Sequence, residues 1–71
     1  MEKHWYCFVF TGEALTGEPS VTASCYTGYD SQLITMRRIN EARAAAGVKP
    51  TAVPLSINYL GYMSKETFTE G

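Results

Sequence analysis

The sequence predicts a single α+β domain over residues 1–71, with the element order strand, strand, helix, strand (ββαβ). Three stretches carry this prediction. Residues 4–10, HWYCFVF, are rich in the aromatic and β-branched residues that favour strands. Residues 21–27 alternate apolar and polar side chains, which is typical of a strand with one wet face. Residues 35–46 place apolar side chains at helical spacing between two cap signals.

The first two strands are predicted to form a hairpin, Lys3–Thr11 with Val21–Thr27. The polar segment Gly12–Ser20 contains two Thr-Gly-Glu copies, but its Gly and Pro residues favour a solvated loop over a functional motif. If the hairpin is symmetric about residue 16, Cys7 lies opposite Cys25, so a cross-strand disulfide is conceivable. Free buried thiols that pack as small hydrophobic groups are the favoured alternative.

Asp30, Ser31 or Thr35 could cap the start of the helix, and Thr35 is the preferred N-cap. The helix is predicted to end at Gly47 as a left-handed C-cap residue. Ile34 and Ile39 then occupy the positions of a hydrophobic staple. The buried stripe is predicted to consist of Ile39, Ala42 and Ala46. Arg38 lies near this stripe, where it could pair with a carboxylate, and the side chains expected in water are Arg37, Asn40, Glu41 and Arg43.

A third strand is predicted over Ala52–Met63, followed by a final helical turn at Lys65–Phe68. Ser64 is placed to cap that turn, and Phe68 is expected to fold back onto the domain. A right-handed crossover through the helix makes the second and third strands parallel. The first strand then lies between them and antiparallel to both, which gives a three-stranded antiparallel sheet of order 2-1-3. This order places the most apolar strand in the centre.

One helix covers only one face of such a sheet. We predict that the helix side holds Trp5, Cys7, Val9, Val21, Ala23, Cys25, Leu55, Ile57 and Tyr59. The opposite face is then predicted to hold Tyr6, Phe8, Phe10, Tyr26, Leu60 and Tyr62. Because a large exposed apolar patch marks an interaction site, these last six residues are the candidate interface.

Length and charge limit the functions that the chain can have. A domain of 71 residues gains only about 3–5 kcal/mol from its core, so a second subunit would help to stabilise it. A net charge of −1 provides neither a positive field for phosphates nor the dense carboxylate surface of a nucleic-acid mimic. We expect no secretory leader, because residues 1–10 lack a long apolar region followed by a small-residue cleavage site, and no membrane span, because the longest apolar stretch is far too short. We expect a cytoplasmic protein without a membrane partner.

Three classes of function compete. Protein–protein association is favoured, as a homodimer or through capture of another protein, because Tyr and Phe are common in interface cores. Binding of single-stranded nucleic acid by the same aromatic face is the alternative, although the basic residues that cluster, Arg37, Arg38 and Arg43, lie on the helix. Catalysis is not expected, since His4 has no nucleophile–base partner set. His4, Cys7 and Cys25 lack the spacing of zinc ligands, so no metal or other cofactor is expected either.

The segments ITMRRINEARAAAG and LSINYLGYMSKETF, within residues 34–68, resemble small uncharacterised proteins carried by phages and prophages of enteric bacteria. The resemblance brings no catalytic residues with it. It implies a protein that binds and redirects a host protein, which agrees with the interaction hypothesis. We therefore expect a non-catalytic interaction or regulatory protein, most simply a homodimer.

Overall fold

The structure is a computed structural model that describes residues 1–70. Its elements in chain order are β1 (Glu2–Gly12), β2 (Val21–Tyr29), α1 (Met36–Ala45), β3 (Val53–Ser64) and α2 (Lys65–Thr69). The strands form one sheet of order β2-β1-β3, in which β1 is antiparallel to both neighbours. The predicted α+β class and strand order are confirmed, and the predicted final turn is the short helix α2.

The caps of α1 lie where the sequence predicts them. The Thr35 hydroxyl accepts a hydrogen bond from the Arg38 backbone N–H at 3.2 Å, which satisfies one free donor of the first turn. Gly47 follows the helix with a φ of 82°, in the left-handed region that side chains disfavour. Its N–H donates to the Ala44 carbonyl at 3.1 Å, so the helix ends at this glycine.

The helix covers the face of β1 opposite to the predicted one. Phe8 and Phe10 are fully buried and Tyr6 is 6% exposed, and all three pack with Ala42 of α1. Their placement on a free face is therefore wrong. On β2 the prediction is correct, because the partly buried residues packed against this core include Val21, Ala23 and Cys25. On β1 the predicted helix-side set of Trp5, Cys7 and Val9 lies on the other face.

A one-residue difference in hairpin register explains the inversion. Phe8 lies opposite Cys25, and Cys7 lies opposite Tyr26. Symmetry about residue 16 would instead have paired the two cysteines. Because side chains alternate along a strand, a slip of one residue moves a whole strand's side chains to the other face. Cys7 and Cys25 thus lie on opposite faces as free thiols, and the conceivable disulfide is ruled out.

Trp5 is covered by the C-terminal helix rather than by α1. Its ring stacks on Phe68 with centroids 4.2 Å apart and planes 2° apart, which confirms that Phe68 folds back. The indole N–H donates to the Met63 carbonyl at 2.9 Å. Gly28 lies directly beneath the indole, where an added Cβ would come within 3.0 Å of ring carbons. The glycine therefore gives Trp5 the space to lie flat on the sheet.

The connection after β1 is pinned to the segment that follows α1. Ala14 forms an isolated β-bridge with Val48, and the Lys49 N–H donates to the Glu13 carbonyl at 2.8 Å. The side chains of Lys49 and Glu13 also form an ion pair at 2.9 Å. Residues 15–20 are exposed, so only this outer part of the loop is solvated as predicted.

Candidate interaction surface

The largest group of exposed apolar side chains lies along β3. We call this group the β3 surface, and it consists of Leu55, Ile57, Tyr59, Leu60 and Tyr62. Val53 is also exposed, but it pairs with Thr11 and so lies on the other face of the sheet. Leu55 is 59% exposed and Tyr62 is 55% exposed, although both belong to a regular sheet strand. Isolated exposed apolar residues are ordinary on a protein surface, but a contiguous row of this kind marks an interaction site.

The position of α1 leaves the β3 surface uncovered. The helix has only 10 residues and packs against β1 and β2, through a face of small alanines. β3 is added on the far side of β1, beyond the reach of this short helix. The side of β3 that faces the same way as the core therefore has no second layer over it.

Three tyrosines and one histidine extend the core toward this open side. Tyr59 lies opposite Tyr6 and Tyr62 lies opposite His4 in the pairing of β1 with β3. The ring centroids of Tyr6 and Tyr59 are 5.2 Å apart, and those of His4 and Tyr62 are 4.6 Å apart. His4 Nδ1 and the Tyr59 hydroxyl lie within hydrogen-bond distance at 3.0 Å. The aromatic layer thus begins in the core at Tyr6 and continues to the sheet edge.

Two irregularities in the strand pairing add further apolar residues. Val9 pairs with Ser56 and Phe10 with Pro54, so Leu55 is left between them without a partner. Trp5 pairs with Gly61 and Tyr6 with Tyr59, which leaves Leu60 unpaired in the same way. Such bulges bend a strand and change the direction of its side chains.

The six predicted interface residues divide into three groups in the structure. Tyr6, Phe8 and Phe10 form the core. Leu60 and Tyr62 belong to the β3 surface. Tyr62 pairs with His4 and therefore lies on the core side of the sheet, not on the opposite face as predicted. Tyr26 is 60% exposed but lies opposite Cys7 on the other face, near Phe68.

Sequence reasoning assigned Leu55, Ile57 and Tyr59 to the helix side. Ile57 and Tyr59 do lie on that face, opposite Phe8 and Tyr6, but the helix does not cover them. A helix whose stripe is mostly alanine buries little area, and this was the signal that one strand would stay uncovered.

The polar groups between β2 and α1 are paired within the chain. Arg38 forms an ion pair with Asp30 at 2.9 Å, which confirms its predicted carboxylate partner. The same guanidinium donates to the Leu33 carbonyl at 2.7 Å and lies 4.4 Å from the Tyr29 ring centroid. Burial is the main cause that raises the pKa of the Tyr29 phenol above its ordinary value. Arg38 therefore holds the segment between β2 and α1 in place.

The two cysteines and the histidine do not form a common site. Cys25 lies beneath α1, where its thiol donates to the Ala42 carbonyl at 3.3 Å. Burial raises the pKa of this thiol. Cys7 is on the opposite face. Within residues 1–70, no three His, Cys, Asp or Glu side chains lie close enough together to hold a metal ion.

Comparison with known proteins leaves the geometry as the basis for inferring function. No family model, no curated protein and no solved structure matches the chain. Of the two helices in residues 1–70, neither has the length and apolar character needed to cross a membrane.

Proposed function

We propose that this chain is a non-catalytic interaction protein that uses the β3 surface to bind another protein, most simply a second copy of itself. The observation that carries the proposal is the row of exposed apolar side chains on β3, next to a core that one short helix covers only in part. A partner would bury the side chains that this chain cannot bury alone.

Charge favours a second copy as the occupant. β3 (Val53–Ser64) contains no Asp, Glu, Lys or Arg, so two copies of this strand can approach without like-charge repulsion. The net charge of −1 also adds almost no repulsion between whole subunits. β3 is an edge strand, and natural edge strands that stay monomeric usually carry protective charges. A two-fold pairing of β3 surfaces closes the assembly at two subunits.

Size gives a second reason for association. A standard interface buries about 800 Å² per partner, which is roughly one sixth of the 4639 Å² that this chain exposes. A strand of 12 residues is about 40 Å long at 3.3 Å per residue, which is long enough for such an interface. Burial of this area would supplement the small core of a 71-residue domain.

The resemblance of residues 34–68 to small phage and prophage proteins supports the same class of function. It suggests a host protein as a further partner and a cytoplasmic location. If the β3 surface is used for self-association, a host protein would bind the face that carries Tyr26 or the exposed loop over residues 15–20.

Single-stranded nucleic-acid binding, the alternative function, has less support. Three of the aromatic side chains that it would need for base stacking form the core, namely Tyr6, Phe8 and Phe10. The β3 surface has no basic residue to contact a phosphate backbone, and Arg38 is already engaged by Asp30. Salt-dependent binding to an oligonucleotide, lost on substitution in the β3 surface, would revive this alternative.

Sedimentation velocity across a concentration series tests the proposal. The wild type is expected to dimerise, Ile57→Glu to be monomeric, and Tyr26→Glu to remain dimeric. Tyr26 is the matched control because it is an exposed apolar residue on an edge strand that faces the other way. Circular dichroism verifies that each variant is folded. A wild type that stays monomeric at high micromolar concentration would refute self-association.

A further inference from the structure

A groove at the C-terminal end of α1 is separate from the β3 surface. It lies between α1, the loop after β1 and the segment that leads into β3, and it is lined by Leu15, Asn40, Arg43, Ala44, Val48 and Pro50. The backbone N–H of Leu15 donates to the Gly47 carbonyl at 2.9 Å, and this bond holds the loop against the helix end. The hydrogen bonds around Val48 and Lys49 therefore preform the groove.

The lining of the groove is apolar except for two neighbouring side chains. Val48 is buried at its base, while Leu15 and Pro50 are exposed at its rim. The polar side chains are Asn40 and Arg43, one turn apart on α1. An apolar body with one polar or charged end would match this distribution.

Arg43 is fixed in place but has no carboxylate partner among residues 1–70. Its Nη1 donates to Asn40 Oδ1 at 2.8 Å, and its guanidinium carbon lies 5.7 Å from the Phe10 ring centroid. Its Nε is buried without any hydrogen-bond partner. By contrast, Arg38 and Lys49 each form an ion pair with a carboxylate. Arg43 was expected to face water, yet it is partly buried.

A half-buried cation with a single neutral partner attracts an anion. The guanidinium is planar and held at one nitrogen by Asn40, so its orientation is already set before a ligand arrives. Its free Nη2 can donate to a carboxylate oxygen, and the positive charge is only partly exposed to screening by solvent.

We propose that this groove binds a free aliphatic monocarboxylate, with the carboxylate on Arg43 and the alkyl chain along Leu15, Val48 and Pro50. The groove has a volume of about 340 Å³. At about 30 Å³ per water-sized atom, this volume holds roughly ten non-hydrogen atoms. Octanoate has that size and carries one carboxylate at the end of an alkyl chain, so it is the probe of choice.

The test is an NMR titration of the full chain with octanoate, 1-octanol and octylammonium. Octanoate is expected to shift the amide signals of Leu15, Ala44 and Val48 in a saturable way. 1-Octanol, which has the same chain without the charge, is expected to bind about tenfold more weakly. Octylammonium is expected not to bind. Equal affinity for octanoate and 1-octanol would overturn the proposal, as would octanoate shifts confined to the β3 surface.

Variants separate the charge from the fold. Arg43→Gln is expected to lower octanoate affinity about tenfold, whereas Arg37→Gln, at an exposed position of the same helix, is expected to leave it unchanged. Because Arg43 packs over Phe10, its replacement could also disturb the core. Ala44→Trp avoids this, since Ala44 is exposed and a large side chain there fills the groove. Undiminished octanoate binding by Ala44→Trp would contradict the assigned site. Neither outcome depends on self-association through β3.

Discussion

The contact between Trp5 and Phe68 packs the C-terminal helix against the sheet, and Phe68→Ala tests how much it contributes. The two rings stack at 4.2 Å, and Trp5 is 8% exposed while Phe68 covers it. α2 has just 5 residues, too few to be stable as an isolated helix. We expect that loss of the Phe68 ring releases α2 and exposes the indole.

The contacts of Phe68 set the size of the effect. Burial of most of a phenylalanine side chain contributes about 1.5–2 kcal/mol. A stacked aromatic pair adds about 0.5–1 kcal/mol. Alanine is the better helix former, which offsets about 0.5 kcal/mol of that loss. The expected decrease in the free energy of unfolding is therefore about 2 kcal/mol, or roughly 8–16 °C in Tm for a domain of this size.

The chain contains one tryptophan, so its fluorescence reports this contact directly. In Phe68→Ala the emission should shift to longer wavelength in the folded state, and urea unfolding should give the reduced stability. Leu33→Ala is the control, because Leu33 is 71% exposed and its loss should cost less than about 0.5 kcal/mol. Unchanged emission together with unchanged stability in Phe68→Ala would show that the stack contributes nothing.

Two further predictions concern groups beneath and beside α1. Because burial raises the pKa of the Cys25 thiol, a smaller fraction of it is thiolate at a given pH, and it should react with iodoacetamide more slowly than Cys7. Mass spectrometry of a labelling time course measures both rates. Equal rates would contradict this prediction. Arg38→Gln should lower the free energy of unfolding by about 2 kcal/mol, because the bond to the Leu33 carbonyl is lost. Asp30→Asn should lower the free energy of unfolding by less than about 0.5 kcal/mol, because Asp30 is 89% exposed. Urea unfolding measures both variants, and equal decreases in the free energy of unfolding would contradict this explanation.

The order of the strands and the ends of the helix could be predicted because local signals specify them. Thr35 and Gly47 have the side-chain and backbone properties that helix caps require, independent of the rest of the fold. The most apolar strand must lie in the centre of the sheet, and a right-handed crossover then leaves only the order β2-β1-β3.

The face of β1 that the helix covers could not be predicted in the same way. Residues 4–10 are apolar on both sides, so their pattern does not show which set of side chains is in the core. The register of the hairpin decides this, and it depends on the turn in which the Gly17 N–H donates to the Ala14 carbonyl. The loop is held by contacts with Val48 and Lys49, which are distant in sequence, so the residues of the loop alone do not specify the register.

The uncovered side of β3 follows from this difference in packing. Phe8 and Phe10 fill the space beneath α1, so the helix cannot also reach Ile57 and Tyr59. Leu55, Ile57 and Tyr59, which were expected beneath the helix, are part of the exposed surface together with Leu60 and Tyr62. The hypothesis of an association surface is therefore retained, but its location moves from the centre of the sheet to its edge.

The most direct test of the proposed role of β3 is an isotope-filtered NOE experiment on a mixture of labelled and unlabelled chains. Such a spectrum detects only contacts between two copies. The account predicts intermolecular NOEs from Ile57, Tyr59 and Tyr62, and none from Tyr26. Intermolecular NOEs confined to Tyr26 and Cys7, or their absence at concentrations where the chain sediments as a dimer, would contradict it.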